Sequence, residues 1–72
     1  MKDQEALLQT MKNNMKRIRV ESGVSQAKLA KAIGMDRTSY NKFENGERGI
    51  SLYNFYAFSQ FFNVSMDELL KD

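Results

Sequence analysis

The sequence predicts an all-α protein built from five short helices, and three observations carry that prediction. Zero Pro and four Gly in 72 residues leave few breakers. Apolar residues recur at steps of three and four, not two. Helix-capping residues (Ser, Asp) and stop residues (Gly, Asn) follow one another along the chain at helix-length intervals.

The first helix is read from Leu8, Met11, Met15 and Ile18, one stripe of a helical surface, with Lys12, Lys16 and Arg17 off it. Asp3 and Thr10 are both competent N-caps, so the helix starts at about residue 4 or 11 and runs to 22. Gly23 can adopt φ > 0 and stop it, with Val24 folding back over the last turn. Ser25 caps a second helix, Gln26 to Ile33, whose apolar face is Leu29, Ala30 and Ile33, and Gly34 ends it. Asp36 caps a third, Arg37 to Glu44, closed by Asn45-Gly46. The connection between these two helices is three residues long, the dimension of a helix-turn-helix. Ser51 caps a fourth helix, in which Leu52, Phe55, Phe58 and Phe62 hold helical spacing, with Tyr53, Tyr56 and Phe61 on its flanks and Asn63 ending it. The Tyr and Phe content suits a strand, but the spacing and the cap favour a helix. Ser65-Met66-Asp67-Glu68 is a capping box ahead of Leu69-Leu70, giving a short fifth helix.

Composition excludes several classes of function. No Cys means no disulfide and no thiolate metal site, and no His removes the commonest general base and metal ligand. Asp67 and Glu68 are explained by capping and are accompanied by no nucleophile, so no enzyme is expected. The Phe cluster within 55–62 reads as core, and no cofactor or prosthetic group is expected. No run reaches ~18 apolar residues, and Met1 to Glu5 lack the apolar segment of a secretory signal, so a cytoplasmic protein is expected. The length accommodates one small domain, residues 1–72. Charge is unevenly spread. Residues 11–48 carry nine cations against Glu21, Asp36, Glu44 and Glu47, giving +5, whereas residues 1–10 carry −1 and residues 49–72 carry −2. A basic centre between mildly acidic ends suits a polyanion, although a solvated charged surface has the same composition.

Gln26 to Asn45 resembles the helix-turn-helix of the Cro/repressor-type (XRE-like) DNA-binding family, on Gln26, Leu29-Ala30, Ile33-Gly34, Met35, Tyr40, Phe43 and Glu44-Asn45-Gly46. Ser51-Leu52, Phe55 and Phe62 to Leu70 extend the likeness into the family's fourth and fifth helices, so it covers about residues 11–71. Each position has a physical reason. Ala30 is small where the third helix crosses, Gly34 supplies a left-handed turn, and Leu29, Ile33, Met35, Tyr40 and Phe43 fill the wedge between helices. Tyr40, Ile50, Ser59 and Asn63 depart from the usual small aliphatic, Pro, Ala and Gly. Asn63 tolerates the left-handed conformation, and Ser59 is expected to bond the carbonyl four residues back.

The resemblance implies a five-helix lambda-repressor-like DNA-binding domain and assigns roles by position. Arg19 and Glu44 occupy the places of a structural clamp. At about 100° per residue, Arg37, Asn41, Thr38 and Lys42 share one polar arc of the third helix, opposite Phe43 and Tyr40. Placed after a helix-turn-helix turn, that arc faces the major groove. There Arg37 suits guanine, Asn41 adenine, Thr38 a thymine methyl or base edge, and Lys42 a guanine or a phosphate. Gln26, with the amino end of the second helix, and Asn45, Arg48 and Lys28 are expected on backbone phosphates. One such module reads too few base pairs for useful specificity, so a homodimer on a pseudo-palindromic operator is expected. Tyr53, Tyr56 and Phe61 are the expected dimer surface. The expected partner is thus double-stranded DNA, with no membrane and no small-molecule ligand. The alternative is a protein-interaction or antitoxin-like module of the same fold whose DNA binding is secondary.

Overall fold

The computed structural model describes residues 3–72, so Met1 and Lys2 and the leader reading that touches them lie outside it. Its elements are α1 (Gln4–Glu21), α2 (Gln26–Ile33), α3 (Arg37–Glu44), α4 (Leu52–Phe62) and α5 (Met66–Leu69). Each helix opens on a side chain that accepts the backbone N–H three residues on: Asp3 from Ala6, Ser25 from Lys28, Asp36 from Ser39, Ser51 from Asn54 and Ser65 from Glu68. Asp3 therefore starts α1, and Thr10 lies within it, because nothing at Thr10 interrupts the backbone ladder. Glu68 returns a bond to the Ser65 amide and completes the capping box.

The first four helices stop in the same way. A residue at positive φ (Gly23, Gly34, Gly46, Asn63) is followed by one whose N–H reaches a carbonyl five residues back. Those bonds are Val24 to Arg19, Met35 to Ala30, Glu47 to Lys42 and Val64 to Ser59. This is the Schellman closure, which satisfies two otherwise orphaned carbonyls. Gly34 is constrained by its backbone. Its φ is 84°, while a Cβ there would make only ordinary contacts, 3.5 Å from the Tyr53 ring and 3.6 Å from the Asn54 amide.

The core is Met11 and Met15 of α1, Leu29, Ala30 and Ile33 of α2, Tyr40 and Phe43 of α3, Phe55 and Phe58 of α4, and Leu69. Two stripe residues stay outside it. Leu8 is exposed on the part of α1 that reaches past the bundle toward the α3–α4 loop, and Leu52 is exposed on the first turn of α4. Ser59 is buried as expected, but its hydroxyl donates to the Tyr56 carbonyl at 2.6 Å, three residues back and not four. A serine Oγ on a helix can reach either carbonyl, and its rotamer decides.

Polar side chains tie the helices together. The Asn54 amide donates to the Ile33 carbonyl at 2.6 Å and joins α4 to the end of α2. The Asn14 amide donates to the carbonyls of Leu69 (2.9 Å) and Lys71 (2.7 Å), joining α1 to the chain's last turn.

The strongest tie joins α1 to α3. Arg19 Nε donates to Glu44 Oε2 at 2.6 Å and Nη2 to Oε1 at 3.0 Å, a bidentate pair. Arg19 Nη1 also reaches the Val24 carbonyl at 2.8 Å. The two side chains are 13% and 1% exposed. Burial alone would raise the Glu44 carboxyl, but hydrogen bonds from Arg19, Tyr40 and Gln26 and the Arg19 charge outweigh it and hold the group below its ordinary value. The Tyr40 hydroxyl is buried beside this pair, next to the Glu44 carboxylate. Its burial and the neighbouring carboxylate push its own titration upward.

Three outcomes are expected from these ties. Asn14→Ala should lower stability by about 1–2 kcal/mol, the net value of two lost hydrogen bonds, while the exposed Asn13→Ala changes it little; urea midpoints compare them. Arg19→Ala leaves a buried carboxylate unpaired and should cost ~3–5 kcal/mol, against ~0–1 for Lys16→Ala on the exposed side of α1. Equal melting midpoints for those two variants would contradict the burial argument. The third outcome concerns pH. Because the Glu44 value is depressed on folding, its contribution is fully present above the unfolded value near 4.5 and is lost as pH falls through the folded one. Between about pH 6 and about pH 3 the wild-type melting midpoint should therefore fall further than that of Glu44→Gln, measured by thermal denaturation.

Candidate nucleic-acid interface

The α2–turn–α3 unit is set by the Gly34 turn and by Asp36. The Asp36 carboxylate accepts the Ser39 amide at 2.8 Å and the Ser39 hydroxyl at 2.9 Å, and these bonds lower its pKa. Together they fix the first turn of α3. Phe43 and Tyr40 are buried beneath the helix, which turns Arg37, Thr38 and Lys42 to solvent and leaves Asn41 half-buried. Arg37, Thr38 and Asn41 line one shallow hollow.

Gln26 reaches across from the first turn of α2. Its Nε2 donates to Glu44 Oε1 at 3.0 Å, and its Oε1 accepts from Asn41 Nδ2 at 3.0 Å. The Asn45 amide donates to Asn41 Oδ1 at 3.2 Å and to Glu47 Oε2 at 3.4 Å. Gln26, Asn41 and Asn45 thus form one chain of amides leading outward from the buried Arg19–Glu44 pair. Position alone gives Gln26, Asn41 and Asn45 separate roles and does not join them. No helical spacing rule links positions 26 and 41, because the link exists only once α2 and α3 are packed.

The remaining expected contacts fall in different places. Lys28 is exposed on the first turn of α2. Lys42 is exposed one turn along α3 from Thr38. Arg48 lines a groove with Glu5, Leu8 and Lys12 of α1, and its Nε donates to the Gly49 carbonyl at 3.2 Å. Tyr53, Tyr56 and Phe61 come together on the outer face of α4, 70%, 51% and 41% exposed, around a hollow completed by Ala32, Ala57 and Gln60. Leu52, the first of the helically spaced apolar residues, is exposed on the first turn of the same helix. Among the described residues no group of three or more acidic side chains is disposed to hold a metal ion.

A family model described as helix-turn-helix matches residues 15–69. The control protein C.MunI of a Mycoplasma species is 38% identical over 61 residues, 83% of this chain and 82% of C.MunI. The antitoxin HipB of Escherichia coli O6:H1 is 37% identical over 54 residues, 75% of this chain but 57% of HipB. Among solved structures, the restriction-modification controller protein C.AhdI from Aeromonas hydrophila superposes with a TM-score of 0.78 at 30% identity, covering 89% of this chain and 97% of C.AhdI. On the five-helix fold, the α2–turn–α3 geometry and these matches, the chain belongs to the XRE-type helix-turn-helix family of DNA-binding transcription regulators.

Proposed function

We propose that the chain is a sequence-specific regulator that binds double-stranded DNA as a homodimer on an inverted-repeat operator. The observation that carries this reading is the polar arc of α3, with Arg37, Thr38 and Asn41 around one hollow and Lys42 beyond it. B-DNA's major groove admits one helix, and a recognition helix touches base edges with its N-terminal half. In this proposal Arg37 pairs with guanine, Asn41 with adenine, Thr38 contacts a thymine methyl, and Lys42 reaches a guanine or a phosphate. Gln26, Asn45, Arg48 and Lys28 hold phosphates on either side. Arg19 and Glu44 keep α3 in place and touch no DNA.

Likeness to C.MunI and C.AhdI over most of their lengths supports a controller role, and C.AhdI, a restriction-modification controller protein, suggests restriction-modification genes as the target class. No helix among the described residues is long and apolar enough to cross a membrane, which suits a protein acting on DNA in the cytoplasm. The exposed aromatic face of α4 supports pairing of two copies. Likeness to HipB gives the same face a second reading, contact with a different protein as in an antitoxin. Selection of bound duplexes from a random DNA pool tests the proposal, and a recovered inverted repeat is the expected product.

Two further outcomes are expected. Arg37→Ala or Asn41→Ala should cost ~1–3 kcal/mol on the recovered site and little on a site altered at the contacted base. Arg48→Ala should weaken every duplex alike and lower the salt slope by about 1, while Gln26→Ala weakens binding with the slope unchanged. Titration at two salt concentrations separates these, and an equal loss for Arg37→Ala and Arg48→Ala on both duplexes would contradict the assigned face. Sedimentation should show a dimer with recognition helices about 34 Å apart on DNA. Tyr53→Ser with Tyr56→Ser should give monomers, and a wild-type monomer both free and on DNA would contradict the pairing.

A further inference from the structure

The amide chain that runs from Glu44 to Asn45 has a direction. An ionised carboxylate only accepts hydrogen bonds, whereas a side-chain amide carries a donor end and an acceptor end. Glu44 Oε1 faces the Gln26 side chain at 3.0 Å, so Gln26 must present its NH2 there. Its carbonyl oxygen is then left toward Asn41, which must present its own NH2, again at 3.0 Å. Asn41 Oδ1 is left to accept from Asn45, whose NH2 is also drawn to Glu47 Oε2. The carboxylates at the two ends demand the same sense, so no amide in the chain is frustrated.

We propose that Glu44 is a positioning residue for base readout: acting through Gln26, it fixes which way the Asn41 amide faces. This rests on the reading of Asn41 as a base contact. After serving Gln26 and Asn45, Asn41 retains one N–H and one oxygen lone pair, the donor and acceptor that adenine N7 and N6 require. An asparagine free to turn over presents either end to either atom and must be ordered on binding. Held by the relay, it meets the base edge already oriented, and the opposite orientation is disfavoured before DNA arrives. The clamp and the readout are therefore one hydrogen-bonded unit.

Glu44→Gln should reverse the relay. The single oxygen of the new amide keeps the shorter Arg19 contact, Nε at 2.6 Å, and gives up the one to Nη2 at 3.0 Å, so its NH2 takes the Oε1 position, facing Gln26. Gln26 then turns its oxygen inward and its NH2 toward Asn41. Gln26→Ala cuts the relay while leaving the Arg19–Glu44 pair intact, so it serves as the variant that keeps the fold.

The test has two readouts on the full chain. In free protein, the side-chain NH2 resonances of Asn41 should shift in both Gln26→Ala and Glu44→Gln. On DNA, the ratio of affinities for the selected duplex and one altered at the Asn41 base should fall from roughly tenfold to about twofold in both variants, as in Asn41→Ala. The ratio cancels any uniform loss from a missing phosphate contact. If Asn41→Ala lowers the ratio and Gln26→Ala does not, the relay is overturned and Asn41 still reads the base. If Asn41→Ala leaves the ratio unchanged, the base contact itself is wrong and the positioning role falls with it. Unchanged Asn41 resonances in Gln26→Ala would overturn the relay without any DNA present.

Discussion

The bond between Arg19 and Glu44 is the constraint on which the rest of this molecule depends. A carboxylate buried to 1% exposure is tolerable only with an opposite charge and its lone pairs satisfied. Arg19 supplies the charge and two hydrogen bonds from the last turn of α1, and Gln26 supplies a third from the first turn of α2. Three helices therefore meet at one side chain on the last residue of α3. Phe43 and Tyr40 on the adjoining arc are buried with Glu44, while Arg37 and Thr38 at the other end of α3 are exposed. The buried charge thus fixes the C-terminal end of α3 against α1 and α2.

That arrangement has to be held by helices too short to persist alone. α2 and α3 are eight residues each, below the ~12–15 at which isolated helices become even marginal in water. Side-chain caps at all five N-termini and Schellman closures after the first four helices satisfy backbone groups that short helices otherwise leave bare. The core is then stitched by amides at chain separations no local rule anticipates, Asn54 to Ile33 and Asn14 to Leu69 and Lys71. In a chain of 72 residues with no disulfide, such ties stand in for core volume.

Local chemistry was legible in the sequence because it is local. Ser25, Asp36 and Ser51 lie three residues from the amides they cap, and Gly34 and Asn63 sit where a left-handed residue must follow a helix. Arg19 and Glu44 are twenty-five residues apart, and only likeness to a family paired them. Geometry then gave the pair its burial, its bidentate form and its third partner. What the sequence hid depends on where packed neighbours end. Leu8 and Leu52 continue their apolar stripes, yet both are exposed. Gln26 has a side chain equally able to hold a phosphate or another side chain, and only the approach of α3 supplies the second choice.

The central claim is that Arg19 and Glu44 stabilise the fold through each other and not as separate charges. A double-mutant cycle of Arg19→Ala, Glu44→Ala and the pair, followed by urea unfolding at neutral pH, measures this directly. The account predicts a coupling of about 2–3 kcal/mol, at the upper end for contacting residues. The double variant should lose less stability than the sum of the two single losses, because each single variant leaves a charged group without its partner. A coupling below ~0.5 kcal/mol, the range of independent sites, would contradict it and leave the orientation of α3 to apolar packing alone.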